Sequence, residues 1–209
     1  MSKIALGMIV SGGEKSEDVI RAINSIKSQV GAIYITITSP LKNKTLKTDI
    51  EKTGAIVDYK PNKFNRVVTK KDVKWVQKFL GNTPEAKEGD SIFQFDKARN
   101  HNMSLIPKEF DWYVWIDADD VFRGAENIPM IIKDAEAKKA ESVFLNYIYQ
   151  SEIVDGKLKN IIIEHLRERL IKNNGSYEWI APIHETLIEK KPTIKIDNDN
   201  ADVLHLSNT

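Results

Sequence analysis

The chain has no cysteine, which excludes disulfides and thiolate chemistry and removes any pointer to secretion. An excess of charge of one sign is missing as well: the net charge over 209 residues is +1. A protein that holds nucleic acid mainly through a broad basic field is therefore not expected. Long apolar runs are absent too. Ile4-Ala5-Leu6-Gly7-Met8-Ile9-Val10 is too short to cross a bilayer and has no small-residue cleavage site behind a signal-type core. No transmembrane segment is expected, and the expected location is cytoplasmic. No G-x-G-x-x-G follows that run. Ser11-Gly12-Gly13-Glu14 departs from the dinucleotide fingerprint, so a nicotinamide-dependent enzyme is not expected. Repeats, low-complexity segments and dividing linkers are lacking. What is there, 41% hydrophobic and 29% charged residues, is ordinary for a globular protein with one sizeable core.

The first part of the chain alternates strands and helices. Residues 4–10 read as a strand. Val19, Ile20, Ala22, Ile23 and Ile26 recur at helical spacing within Glu17–Gln29, with Ser16 as candidate N-cap. Ala32–Thr38 is a β-branched strand, Thr48–Lys52 a short helix stopped by Gly54, and Ala55–Tyr59 a third strand. This order predicts parallel pairing with right-handed crossovers. Lys60, Lys63, Arg66, Lys70, Lys71, Lys74 and Lys78 face one acid, Asp72, while Val73, Trp75, Val76, Phe79 and Leu80 suggest an apolar helix side. The region reads as a solvated amphipathic helix, with attraction of a phosphate-bearing substrate as the alternative. Gly81–Ser91 reads as a loop, and a helix from Phe95 to about Ile106 ends at Pro107, with Asp96 as a candidate cap.

A β-rich second part is expected. Gly124–Lys139 reads as a helix with Pro129 in its first turn. Ser142–Gln150, a turn at Asp155-Gly156 and a return arm at Ile161-Ile162-Ile163 read as a hairpin. Glu168–Lys172 reads as a further strand, Asn173-Asn174-Gly175 as a turn, and Thr193–Ile196 and Asp202–Leu206 as two short β segments.

Between the two parts lies Asp111-Trp112-Tyr113-Val114-Trp115-Ile116-Asp117-Ala118-Asp119-Asp120. The aromatic and β-branched run is too short for a helix and reads as a buried strand. It delivers three acids at its carboxyl end, where open α/β sheets gather their ligands. Asp117 and Asp119 point the same way if extended geometry persists. Two such oxygen ligands suit Mg²⁺ or Mn²⁺, which in turn hold phosphate oxygens. A turn or helix cap is the competing reading, Asp120 above all.

Three segments together resemble the family-two inverting glycosyltransferases of the GT-A fold. Phe95-Asp96-Lys97-Ala98-Arg99-Asn100 is similar to the family's F-x-x-A-R-N helix start, and Asp111–Asp120 to its D-W-h-h-h-h-D-A-D-D strand. Arg169-Leu170-Ile171-Lys172-Asn173, then Trp179, then Ile183-His184-Glu185 is similar to its R-h-h-(R/K)-N … W … h-H-E stretch. The resemblance implies an α/β class, a single GT-A (Rossmann-like) domain over residues 1–209 with a mostly parallel central sheet, helices on both faces and a β-rich C-terminal part. Residues 1–120 would form the nucleotide-sugar-binding half and 121–209 the acceptor and catalytic half. The implied activity is metal-dependent transfer of a sugar from a nucleotide diphosphate sugar to an acceptor hydroxyl, with inversion.

The resemblance also implies site residues. Asp119, helped by Asp117, would bind Mn²⁺ or Mg²⁺, with Asp117 at the ribose as the alternative. His205 would complete the metal site, favouring Mn²⁺, or be an ordinary half-buried strand histidine. Glu185 would be the base and His184 its neighbour, against a plain surface turn after Pro182. Arg99 and Arg169 would bind diphosphate oxygens, and Trp179 would stack on a sugar or pack in the core. Ser11 and Thr38 complete the donor-binding set. The acceptor is left open among a glycan, a lipid-linked sugar, a protein and a modified nucleic-acid base. Departures from the family are the missing acid at Ile37-Thr38-Ser39-Pro40, where members grip the base, and the long stretch from Lys60 to Ser91. A nucleotidyltransferase on a related sheet and a non-catalytic nucleotide- or sugar-binding module are the rival readings.

Overall fold

A computed structural model describes residues 2–74, 87–154 and 157–206. The elements in chain order begin with β1 (Ile4–Val10), α1 (Ser16–Asn24), β2 (Ala32–Ile37), α2 (Leu46–Glu51) and β3 (Ile56–Tyr59). A small ribbon of β4 (Asn65–Val67) and β5 (Ser91–Phe93) precedes α3 (Phe95–Ser104). Then come β6 (Trp112–Trp115), β7 (Asp120–Arg123) and α4 (Ile128–Ala137). Five strands close the chain: β8 (Ser142–Val154), β9 (Lys157–Lys172), β10 (Tyr177–Ile180), β11 (Thr186–Glu189) and β12 (Lys195–His205).

Eight strands form the central sheet in the order β3-β2-β1-β6-β9-β8-β12-β7. β3, β2, β1 and β6 run parallel to one another, β12 runs parallel to β8, β9 runs antiparallel to both β6 and β8, and β7 antiparallel to β12. Parallel strands are covered on both faces and need apolar residues throughout; accordingly β1 and β2 are buried along nearly their whole length. One face packs α1, α2 and α4 through Val19, Ile23, Ile50, Ile131 and Ile132, together with Leu6 and Trp112 of the sheet. On the other, α3 meets β1, β2 and β10, and Tyr113, Trp115, Ile171, Tyr177 and Trp179 form a second cluster. The expected α/β class, mostly parallel sheet and helices on both faces are what the chain adopts. No helix among the described residues is long and apolar enough to cross a membrane.

Several local expectations change. Ser16 is the first residue of α1 rather than its cap, and its hydroxyl donates to Asp49 at 2.9 Å. Asp96 does not cap α3, whose N-cap is Gln94 without a side-chain hydrogen bond. Strand β7 was not expected, because four residues carry little periodic signal; its pairing with β12 supplies what local sequence does not. Ile161–Ile163 and Glu168–Lys172 belong to one strand, β9, which follows β8 through several register shifts. The two tail segments are likewise one strand, β12, irregular between Asp197 and Asp202. In the basic stretch, Arg66 is clamped on Asp72 at 2.8 and 3.2 Å and Lys60 pairs with Asp58 at 3.0 Å. Trp75, Val76, Lys78, Phe79 and Leu80 lie outside the described residues, as does the Asp155-Gly156 turn.

One glycine decides how α3 sits. A Cβ at Gly7 would stand 2.3 Å from the Tyr113 ring and 2.4 Å from Asn102 Oδ1. Without it, the Asn102 amide nitrogen comes within 3.1 Å of Met8 O and 3.0 Å of both Tyr34 O and Thr36 Oγ1. This anchor fixes Arg99, one helical turn earlier. Gly7→Ala is expected to destabilise the protein by about 1–3 kcal/mol, as overpacking does. That exceeds the ~0.5–1 kcal/mol that replacing a mid-strand glycine returns. Urea unfolding checks it, and an unchanged midpoint would show that α3 is not held here.

Candidate active site

The carboxyl ends of β1, β2 and β6 open on one crevice of about 700 Å³, lined by Ser11, Thr38, Arg99, Asp117 and Asp119 among others. This is where a parallel sheet with these loops receives a ligand. Ser11 and Thr38 both border it, with their hydroxyls already occupied. Ser11 donates its hydroxyl to Glu14 at 2.6 Å and its N–H to the same carboxylate at 3.0 Å. Thr38 is buried and donates to Val10 O at 3.2 Å. Glu14 was not singled out in the sequence; only the tight Ser11–Gly13 loop brings it over the strand end.

Arg99 forms the floor between the crevice and the next cavity. Its Nη2 donates to Asp117 Oδ1 and its Nε to Glu185 Oε1, both at 2.7 Å. Its side chain is 6% exposed, and the guanidinium lies 4.6 Å from the Trp115 ring and 5.0 Å from that of Trp179. Burial acts to lower its pKa, but Asp117 and Glu185 outweigh burial and raise it. For Asp117, burial opposes ionisation, while Arg99 and Arg169 prevail and hold the carboxyl below its ordinary value. Arg99 thus braces two protein carboxylates while it lines the crevice.

Arg169 and Trp179 are both buried. Arg169 is 0% exposed and lies 4.0 Å from the Trp115 ring and 4.3 Å from that of Tyr147. Its Nη1 donates to Trp115 O at 3.3 Å and its Nη2 stands 3.4 Å from Asp120 Oδ2. Trp179 packs edge-on against Trp115 at 4.9 Å and is buried, so the core alternative describes it and no face is open to a sugar. The apolar cluster around Tyr113 and Trp115 draws both side chains inward.

The acids do not continue the strand. Asp120 N–H donates to Asp117 O at 3.1 Å, and Asp117 N–H to Asp120 Oδ2 at 3.0 Å. This turn ends the alternation, so Asp117 and Asp119 diverge: Asp117 meets Arg99, and Asp119 meets His205 at 3.6 Å. The pairing of β7 with β12 sets His205 opposite Asp120, whose Oδ1 is 3.3 Å from His205 Nδ1 and accepts from the Tyr147 hydroxyl at 3.2 Å. Asp119, Asp120 and His205 offer ligand atoms within 4.8 Å of one another, with Asp120 in the place expected for Asp117. The hydrogen bond to Asp120 raises the His205 pKa against burial, aided by Asp119. Burial, with Asp117 and Asp120 nearby, raises that of Asp119 while His205 opposes. Crowded carboxylates beside an imidazole form a donor set that suits a divalent cation such as Mn²⁺.

On the other side of the Arg99–Asp117 pair lies a cavity of about 410 Å³ that those two residues also line. His184 and Glu185 enter it from the loop between β10 and β11. His184 has the left-handed φ of 54°, and Phe95 N–H donates to Pro182 O at 3.0 Å, tying that loop to the start of α3. The loop after Pro182 is therefore a turn with Glu185 directed inward, its side chain 13% exposed. Tyr147, Arg167 and Arg169 form the opposite wall; Arg167 was not singled out in the sequence. A third cavity, of about 740 Å³ beside Lys97 and Tyr177, contains none of these acids.

No protein-family profile and no curated protein sequence matches this chain. Among solved structures, it is similar to 4-diphosphocytidyl-2C-methyl-D-erythritol synthase from Anaerococcus prevotii, with 11% identity and a TM-score of 0.42 over 82% of this chain and 70% of that one. S. aureus TarS residues 1–349 in complex with UDP gives 12% identity and a TM-score of 0.42, over 74% of this chain and 37% of that one. Glucosyl-3-phosphoglycerate synthase from Mycobacterium tuberculosis, in complex with Mn²⁺ and UDP-glucose, gives 13% identity and a TM-score of 0.41, over 70% of this chain and 44% of that one. The chain spans less than half the length of the latter two.

Proposed function

We propose that this protein transfers a sugar from a nucleotide diphosphate sugar to an acceptor hydroxyl, with inversion and with the help of a divalent cation. The observation that carries the reading is a convergence. Arg99, Asp117 and Glu185, which come from three separate sequence motifs, form one ion-paired cluster between two adjoining cavities. The larger crevice, at the strand ends, is the proposed donor site, and the cavity beside Glu185 the proposed acceptor site.

In this reading Asp119, Asp120 and His205 hold the cation, Mn²⁺ or Mg²⁺. When bound, the cation acts as a Lewis acid on the diphosphate, whose negative charge grows as it leaves. Arg99 holds Oε1 of Glu185, and the other carboxylate oxygen takes the proton of the acceptor hydroxyl. The hydroxyl oxygen bonds to the anomeric carbon as the carbon–oxygen bond to the diphosphate breaks, and the nucleoside diphosphate leaves with the electron pair. A single displacement of this kind inverts the carbon. His184, beside Glu185, orients it or contacts the diphosphate.

A thermal-shift screen of nucleotide diphosphate sugars with Mn²⁺ tests this. Ligand at about 100 times its Kd adds ~2.7 kcal/mol to native-state stability, a rise of about 5–10 °C in Tm for a chain of this size. The rise should require the metal and be absent in Asp119→Ala. A shift that survives in Asp119→Ala removes the cation from the reading. Pyrophosphate release from a nucleoside triphosphate would instead select a nucleotidyltransferase, and binding without turnover a non-catalytic module.

A further inference from the structure

We propose that the molecule entering the 410 Å³ cavity carries an oxyanion, a carboxylate or a phosphate, seated on Arg167 and Arg169. Calling that molecule the acceptor rests on the transferase reading; the seat itself rests on what lines the cavity. Arg167 and Arg169 stand two residues apart on β9, across an irregularity in its pairing with β8, and both line this cavity. Arg169 is 0% exposed, yet its Nε and Nη2 are buried with no hydrogen-bond acceptor. The Nε of Arg167 is buried and unpartnered in the same way. Asp120 lies 3.4 Å from Arg169 Nη2 without making that hydrogen bond. The two carboxylates of the cavity, Asp117 and Glu185, are both held by Arg99 at 2.7 Å. Among the described residues, no carboxylate lies within ion-pair distance of Arg167.

Buried polar groups are almost always hydrogen-bonded, and a charged donor left without a partner is costly. Three unpartnered N–H groups on two arginines that line one cavity are therefore a place prepared for an acceptor of several hydrogen bonds. The planar fork of arginine matches carboxylate and phosphate oxygens in pairs. A neutral hydroxyl satisfies a donor but leaves the charge of Arg167 uncompensated, so an anion is favoured. The same field is felt by His165, whose pKa burial lowers first and Arg167 and Arg169 lower further.

Isothermal titration calorimetry on the full chain, without donor or metal, tests the seat with inorganic phosphate and with the pair methyl glucuronide and methyl glucoside. Phosphate and the glucuronide should bind and compete with each other, and the uncharged glucoside should not bind. Arg167→Gln should weaken both anions by about 10- to 100-fold. Arg167→Lys, which keeps the charge and loses the fork, should recover part of that loss. The unfolding midpoint of each variant, taken alongside, confirms that it is folded. Equal binding of glucoside and glucuronide, or undiminished phosphate binding by folded Arg167→Gln, overturns the proposal. If no nucleotide sugar binds with Mn²⁺ while anion binding still depends on Arg167, the transferase reading fails and the seat stands.

Discussion

Asp120→Ala is expected to destabilise the protein by about 3–5 kcal/mol, the usual cost of removing one partner from a buried ion pair. Asp120 and Arg169 are each 0% exposed. The aspartate also accepts the Asp117 N–H and the Tyr147 hydroxyl and faces His205. Its loss removes the carboxylate 3.4 Å from Arg169 Nη2 and leaves that buried charge between two rings. Part of the cost should return in the double variant Asp120→Ala/Arg169→Met, because replacing both members of a buried pair is often close to neutral. Urea unfolding in EDTA separates this effect from metal binding. A loss below about 1 kcal/mol would mean that solvent reaches this pair and that the turn at 117–120 does not depend on it.

Glu185→Gln should lower transferase turnover by roughly 10²–10⁴-fold, the usual contribution of a general base, while donor binding stays nearly unchanged. Glutamine keeps the side-chain oxygen that accepts from Arg99 Nε, so the brace to Asp117 should survive and the loss should report proton transfer. Glu185 lines the cavity opposite the crevice and not the crevice itself, which is why donor affinity should not follow. Near-normal turnover in Glu185→Gln would remove this carboxylate from the chemistry and leave it as a packing partner of Arg99.

Legibility in the sequence followed the range of the interactions. β1, β2 and β6 were readable because dense β-branched and aromatic runs record burial residue by residue, and β3, which is half-exposed, because its short run follows Gly54. Helix α1 was readable from its apolar spacing. Asp117, Asp119, Arg99 and Glu185 could be picked out because each stands within one of the three motifs. Asp120 was legible only as a turn residue, although it is the buried centre of the acid cluster. Arg167 and Glu14 carried no local mark at all. Trp179 and Arg169 were read with the site because their motif stands there; the aromatic cluster around Trp115 buries both, and Arg169 still lines the cavity beside Glu185.

By itself the sequence determined the alternation of β1, α1, β2, α2 and β3, the parallel start of the sheet and the delivery of acids to its carboxyl edge, since periodicity and residue shape act over a few neighbouring positions. Only the tertiary structure decided which charge meets which. Arg99 joins Asp117 across 18 positions and Glu185 across 86, and His205 reaches Asp120 across 85. Ion pairs and ligand groups form by distance in space, and the pairing of β7 with β12 and the docking of α3 over Gly7 set those distances.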